Sequence, residues 1–307
     1  MNMKKSPFFT QAELMLRVIP HIAKEKTFAL KGGTAINFFF RDMPRLSIDI
    51  DLTYVPIEPR DVSLKKMSNA LGRIAGAIQK TIPDIKVQKS HFQKSKRIRK
   101  LFVSHRKAQI TIEPNEVIRG TVFPCENRNL CMKAEDLFEL TTSIQTLSLA
   151  DLYGGKLCAA LDRQHPRDLF DIKILLENEG VTNDIRKAFV IYLASHDRPM
   201  NELIDPIRKD LHQIYKNEFS GMTVSPVSYE ELTKVRDNLI TVLKTELTNA
   251  EKVFLVSIKE GNPNWDLMEI KGIEKLPAIQ WKVMNIRKMD KKKHKEALSK
   301  LRTRLGI

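Results

Sequence analysis

The chain has 307 residues, of which 42% are hydrophobic and 29% charged. That composition excludes a disordered or fibrous protein and supplies enough apolar material for one large domain or two smaller ones. The formal net charge of +15 favours polyanionic partners, nucleic acid or nucleotide phosphates, because each Lys or Arg set against a phosphate releases condensed counterions.

Cys125, Cys131 and Cys158 are the three cysteines, with no Cys-x-x-Cys spacing. They argue against a disulfide framework or zinc site and for a reducing cytoplasm. The lysines within Met1 to Phe9 precede no long apolar run, and no stretch of about 18 apolar residues occurs, so neither a signal peptide nor a membrane span is expected.

In chain order, apolar residues at Ala12, Leu14, Met15, Leu16, Val18 and Ile19 predict an amphipathic helix over Gln11 to His21. Phe28-Ala29-Leu30 reads as a brief strand, broken at Gly32-Gly33, with a helix from Thr34 to Phe40. Ser47 to Val55 alternates and reads as a strand ended by Pro56 and Pro59. Val62 to Thr81 reads as a helix. Strands are then expected at Ile85–His91, Ile98–His105 and Ala108–Pro114, with basic turns between them.

After Ser148 the spacing becomes helical: Leu149–Leu161, Asp168–Glu177, Ile185–Ala194, Pro206–Tyr215 and Tyr229–Thr248. Breaks fall at Pro199, Gly221 to Pro226 and Gly261 to Pro263. A last, basic helix over Arg287 to Arg304 places Ala297, Leu298, Leu301 and Leu305 on one side. There is no internal repeat. The expected architecture is an α/β amino-terminal domain, a mixed sheet flanked by helices, over residues 1–140, and a mainly α-helical domain over 141–307. The border lies between Glu126 and Ser148.

The run Leu30-Lys31-Gly32-Gly33-Thr34-Ala35, then Arg45-Leu46-Ser47-Ile48-Asp49-Ile50-Asp51-Leu52, carries the chemistry. Asp49 and Asp51 lie two apart on a strand and leave the same face. Two adjacent carboxylates repel unless a cation lies between them, and magnesium takes one or two carboxylates together with substrate phosphates. Gly32-Gly33 lets backbone approach a phosphate closely. Thr34 adds a hydroxyl, and the following helix start adds oriented N–H groups. Glu113, on the strand Gln109 to Glu113, could supply a third carboxylate, to a second metal or as proton acceptor. Taken singly, an Asp-x-Asp strand is most often a solvated face, Gly-Gly a turn, and Glu113 an exposed strand carboxylate.

In the helical half, Lys156 sits among Leu152, Leu157 and Leu161. It can snorkel to solvent or reach a triphosphate as a point charge. Asp168 and Asp171 share a helix face. Asp168 can cap its helix near Pro166, or orient Lys156 or Arg167. Arg163 can touch phosphate, or pair with Asp162 or Asp168.

The glycine turn, acidic strand and later carboxylate resemble the nucleotidyltransferase superfamily of DNA polymerase beta, with Thr34 where many members have Ser. A finer resemblance is to the AbiEii/AbiGii abortive-infection toxins and the related MenT-type toxins. It rests on Leu30 to Ala35 with Arg45-x-Ser47-x-Asp49-x-Asp51-Leu52, on Leu149-Ala150-Asp151-Leu152-Tyr153-Gly154-Gly155-Lys156-Leu157-Cys158-Ala159-Ala160-Leu161, and on Arg167-Asp168-Leu169-Phe170-Asp171-Ile172. It spans residues 28–176.

The resemblance implies a magnesium-dependent transferase that uses an NTP as substrate. It assigns Asp49, Asp51, Glu113, Lys156 and Asp168 to catalysis. Lys31, Gly32, Gly33, Thr34, Arg45, Ser47, Lys156 and Arg163 would bind the nucleotide, and Asp49, Asp51 and Glu113 the metal. It also implies a cognate antitoxin and an RNA acceptor, tRNA extended at its 3′ end, so that translation stops.

The basic clusters Lys94-Ser95-Lys96-Arg97-Ile98-Arg99-Lys100 and Arg287 to Arg304, with Lys291-Lys292-Lys293, fit sequence-independent phosphate contact, since neither has the interleaved aromatics of a base-stacking platform. Each also reads as a solvated basic face. Two other functions stay open: a transferase of this fold acting on a protein or small molecule, and a non-catalytic nucleic-acid-binding protein. Ser47 and Thr34 are the positions where phosphorylation would set negative charge against a triphosphate.

Overall fold

The computed structural model describes residues 3–92 and 95–307. Met1 and Asn2 of the amino-terminal stretch and Lys94 of the first basic cluster lie outside them. The chain divides into two compact units, Met1–Leu152 with Phe219–Pro226, and Tyr153–Glu218 with Val227–Ile307.

The first unit opens with α1 (Phe9–Ile22) and β1 (Phe28–Lys31). Helix α2 (Gly32–Ala35) widens into a π-type turn over Ile36–Phe40. β2 (Asp49–Tyr54) and α3 (Arg60–Thr81) follow. Next come β3 (Lys86–His91), β4 (Ile98–His105) and β5 (Ala108–Asn115), then β6 (Glu126–Asn129), α4 (Met132–Phe138) and β7 (Ser143–Thr146).

Among the described residues the strands form one sheet in the order β3-β4-β5-β2-β1-β7-β6. β3, β4 and β5 make an antiparallel meander, β5 runs parallel to β2, β2 antiparallel to β1, β1 parallel to β7, and β7 antiparallel to β6. The sheet is therefore mixed, as expected. One of its faces is apolar: Ile50, Leu52, Leu101, Val103 and Ile112 are fully buried, and each contributes about 1.5–3 kcal/mol by leaving water. Helix α1 lies against β5 and α3 against β4.

Two parts of this unit depart from the sequence reading. β6, α4 and β7 fill a stretch for which no elements were expected, because strands of four residues, Glu126-Asn127-Arg128-Asn129 above all, carry no apolar alternation. Residues 219–226, of which only Gly221 to Pro226 were marked, as a break, pair with the approach to β2. The Leu46 amide donates to the Met222 carbonyl at 2.8 Å, the Val224 amide to the Pro44 carbonyl at 2.9 Å, and Arg45 bridges Thr223.

The second unit is helical. Helix α5 (Leu149–Asp162) begins in the first unit, and the division falls within it. Then follow α6 (Pro166–Glu177), α7 (Asn183–Ser195), α8 (Met200–Ile204), α9 (His212–Glu218), α10 (Tyr229–Glu246), α11 (Asn249–Glu260), α12 (Pro277–Arg287) and α13 (Lys291–Leu305). The expected helix Pro206–Tyr215 forms only from His212. Before it, side chains satisfy the backbone instead: the buried Gln164 amide donates to the Ile207 carbonyl at 2.7 Å and accepts from the Lys209 amide at 3.0 Å, and Arg236 donates to the Lys209 carbonyl at 2.9 Å.

Tyr229–Thr248 is also shorter than expected, since Thr248 and Glu251 form a capping box that starts α11. The basic stretch from Arg287 is cut by Asp290, whose carboxylate accepts from the Lys292 and Lys293 amides and starts α13. No helix among the described residues is long and apolar enough to cross a membrane.

Candidate active site

Alternation along β2 puts Ile50 and Leu52 in the core and Asp49 and Asp51 on the opposite, partly exposed side. Register then selects their neighbours. Lys31 of β1, Asp51 of β2 and Glu113 of β5 stand side by side across three adjacent strands. Lys100 of β4 extends the row, with its ammonium 3.4 Å from the Glu113 carboxylate. A second row joins Asp49, Thr111 of β5 and Phe102 of β4.

The glycine turn is shaped by this strand. Gly32 has a φ of +73°, and a Cβ there would lie 2.8 Å from the Asp51 carboxylate oxygen Oδ2. At Gly33 a Cβ would lie 2.5 Å from the Arg45 guanidinium and 3.2 Å from the Ser47 hydroxyl. Both glycines are thus required by close approach within the protein. Thr34 and Ser47 are buried and their hydroxyls lie 2.9 Å apart, with Thr34 also donating to the Asp49 carbonyl. Arg45 is only 2% exposed and donates to the Leu46 carbonyl at 2.8 Å. Arg45, Ser47 and Thr34 therefore tie the turn to the start of β2, and neither hydroxyl stands open to modification.

A cavity of about 320 Å³ opens beside Asp51, lined among others by Lys31, Arg99, Glu113, Asn115 and Glu116. Arg99 lies 3.7 Å from both Glu113 and Glu116. Burial pushes the Glu116 carboxyl up, and the Arg99 and Arg60 charges pull it partly back. The Asn115 side chain accepts the Val117 and Ile118 amides at 2.9 and 2.8 Å and fixes the rim.

Glu113, the third of the expected metal carboxylates, stands beside Asp51 across the strands. Glu113 is engaged by Lys100 and Arg99, and among the described residues no group of three or more His, Cys, Asp or Glu is placed to hold a metal ion. Asp49 and Asp51 remain as two hard oxygen donors on one side of one strand. Such a pair fits magnesium, which fills its other positions with water and phosphate.

The second unit holds a separate charged cluster. The Lys156 ammonium of α5 is 6% exposed and lies 2.9 Å from Asp168 and 3.0 Å from Asp171, both on α6 and both buried. Arg163 grips Asp168 through two guanidinium nitrogens while 60% exposed itself. Burial by itself would raise the Asp168 carboxyl, but the Lys156 and Arg163 charges hold it well below the usual carboxylate range. His165, not Asp168, caps α6, accepting from the Arg167 amide. Lys156 neither snorkels nor stands exposed: it joins α5 to α6.

Three features escaped the sequence reading. Arg99 and Glu116 line the cavity through a cross-strand approach that no linear spacing encodes. Phe102 and Phe92 interleave with the basic cluster in space, Lys100 lying 5.2 Å from the Phe102 ring and Arg97 5.3 Å from the Phe92 ring. Asp151, buried, accepts the Val122 and Phe123 amides at 2.9 Å each and the Ser148 hydroxyl at 2.8 Å. An acidic residue in the first turn of an apolar helix was the available signal.

The family model described as nucleotidyl transferase AbiEii toxin, type IV toxin–antitoxin system, matches residues 13–283. The solved structure of MenT4, a nucleotidyltransferase toxin from Mycobacterium tuberculosis H37Rv, is similar with a TM-score of 0.60 at 13% identity, over 94% of this chain and 92% of that one. At that identity the likeness is one of fold. No curated protein sequence matches the chain. A mixed sheet carrying paired aspartates under a glycine turn, and a family match over most of its length, identify the chain as a member of the AbiEii nucleotidyltransferase toxin family of type IV toxin–antitoxin systems.

Proposed function

We propose that the protein transfers a nucleoside monophosphate from an NTP to the 3′ hydroxyl of an RNA, a tRNA by analogy with the related toxins, and so blocks translation. The observation that carries this reading is the projection of Asp49 and Asp51 from one side of β2, with Gly32 packed over Asp51. The acceptor oxygen bonds to the α-phosphorus, the bond to the β-phosphate breaks, pyrophosphate leaves, and the hydroxyl proton passes to a carboxylate.

Asp49 and Asp51 would hold magnesium, which when bound neutralises phosphate charge and lowers the pKa of an incoming hydroxyl. Lys31 and Arg99 stand around Asp51 in the cavity and offset the remaining charge of the triphosphate. Glu113 and Glu116 are the carboxylates beside Asp51 that can accept the proton. Within the second unit Arg163 presents an exposed guanidinium steadied by Asp168, a group of the kind that pairs with phosphate. An RNA acceptor fits the excess of positive charge and a cytoplasmic site of action. The family implies an antitoxin as its partner in the cell.

The test is incubation of the purified chain with total RNA and each α-labelled NTP in magnesium. Label is expected in RNA, and is lost with EDTA or with Asp49→Asn plus Asp51→Asn. Label in protein or small-molecule fractions, or RNA binding without any turnover, overturns the reading.

A further inference from the structure

The sheet face that carries the aspartates is polar nearly throughout. Across β3, β4 and β5 it presents Lys86, Gln88 and Ser90, then Ser104 and Lys100, then Gln109, Thr111 and Glu113, by the pairing of Lys86 with Ser104, Gln88 with Phe102, Ser90 with Lys100 and Ser104 with Gln109. Phe102 interrupts it. The neighbouring Leu101 and Val103 point the other way and are fully buried, so the core does not need this ring, which stays partly exposed. An apolar ring on a polar sheet face, next to a cation, is the arrangement that stacks nucleic-acid bases.

Its place in the register gives the ring a use. Phe102 pairs with Thr111, and Thr111 with Asp49. Adjacent strands lie about 4.8 Å apart, so Phe102 is about 10 Å from Asp49 along the row, with only a threonine between them. That separation is of the order of one nucleotide. The cavity beside Asp51 does not include Phe102, so the ring is not part of the wall around the proposed triphosphate seat. Beyond it, Lys86 and Lys96 are exposed on β3 and the β3–β4 turn, a basic path for a phosphate backbone.

We propose that Phe102 is the stacking platform for the terminal base of a single-stranded RNA acceptor, with Lys100 holding the adjoining phosphate, so that the terminal ribose hydroxyl comes to rest beside Asp49. This rests on the RNA reading above and adds the seat of the acceptor. Lys100, which covers the ring at 5.2 Å and lies 3.4 Å from Glu113, moves to the phosphate when a base arrives.

The experiment measures binding of a short fluorescent single-stranded RNA with a free 3′ hydroxyl, and separately of a fluorescent NTP analogue, to the full chain without turnover. Phe102→Leu keeps the apolar volume and loses the π face. It should weaken RNA binding about tenfold, the usual size of one base–aromatic stack, and leave the NTP analogue unchanged. Phe102→Trp should bind RNA at least as tightly as the parent. The platform is refuted if Phe102→Leu binds RNA like a parent that itself binds and extends RNA; the transferase reading then stands. It is also refuted if Phe102→Leu weakens only the NTP analogue, which would put the donor base on the ring. A parent that neither binds nor labels RNA overturns the RNA reading and the platform with it.

Discussion

Replacing Lys156 by Met tests whether the ammonium is a structural member of the second unit. The change removes the charge that lies 2.9 and 3.0 Å from two carboxylates that are 0% and 1% exposed. Removing one partner of such a buried set costs about 3–5 kcal/mol, because the remaining charges stay uncompensated. With urea slopes of about 1–3 kcal/mol per molar, the midpoint should fall by at least about 1 M. Adding Asp168→Asn and Asp171→Asn should restore most of the loss, since the exposed Arg163 can hydrate once released.

The acid dependence has a definite sign. The folded Asp168 carboxyl lies below its unfolded value. Its stabilisation is therefore complete above about pH 4 and is lost as pH falls through the folded value. Without Lys156 the folded carboxyls take up protons at higher pH, so the gap between parent and variant should narrow from pH 7 towards pH 4. Urea unfolding followed by circular dichroism reads both quantities. A deficit below about 1 kcal/mol, or a gap that widens on acidification, would show that Lys156 does not hold the helices in this way.

Asp49→Asn or Asp51→Asn should lower nucleotidyl transfer by about a hundredfold or more, the several kcal/mol expected from losing a metal ligand, with an unchanged thermal midpoint; transfer to labelled RNA and calorimetry check the pair. Gly33→Ala should destabilise by about 1–3 kcal/mol, because its methyl would meet the buried Arg45 guanidinium at 2.5 Å; an unchanged melting curve would refute that packing. Asp151→Ala should cost about 2–4 kcal/mol by orphaning the Val122 and Phe123 amides, whereas Asp151→Asn should cost less, both read from urea midpoints.

Local alternation made the centre of the fold legible. Ile50 and Leu52 inward with Asp49 and Asp51 outward fix both a strand and its two sides, and Gly32-Gly33 before it marks a tight approach. The cross-strand partners were beyond linear reading, since β5 returns parallel to β2 and its register depends on tertiary packing. So Glu113 beside Asp51 could be suspected, while Phe102 in line with Asp49 could not. Helix ends failed where side chains replaced backbone partners, as Gln164 does for Ile207 and Lys209. At Thr248-Asn249-Ala250-Glu251 the capping signal was present, but the apolar spacing on either side masked it.

The strip from Phe219 to Pro226 bears on how the protein is made. Pro44 and Leu46, which lead into the aspartate strand, exchange main-chain bonds with Val224 and Met222, residues synthesised some 175 positions later. A nascent chain cannot close that strand's entry until translation has passed Pro226, by which point helices α5 to α9 have also been made. A fragment cut after Leu152 would keep all seven strands and still lack the edge that braces Arg45, which makes the ribosome's progress itself a delay on arming the enzyme.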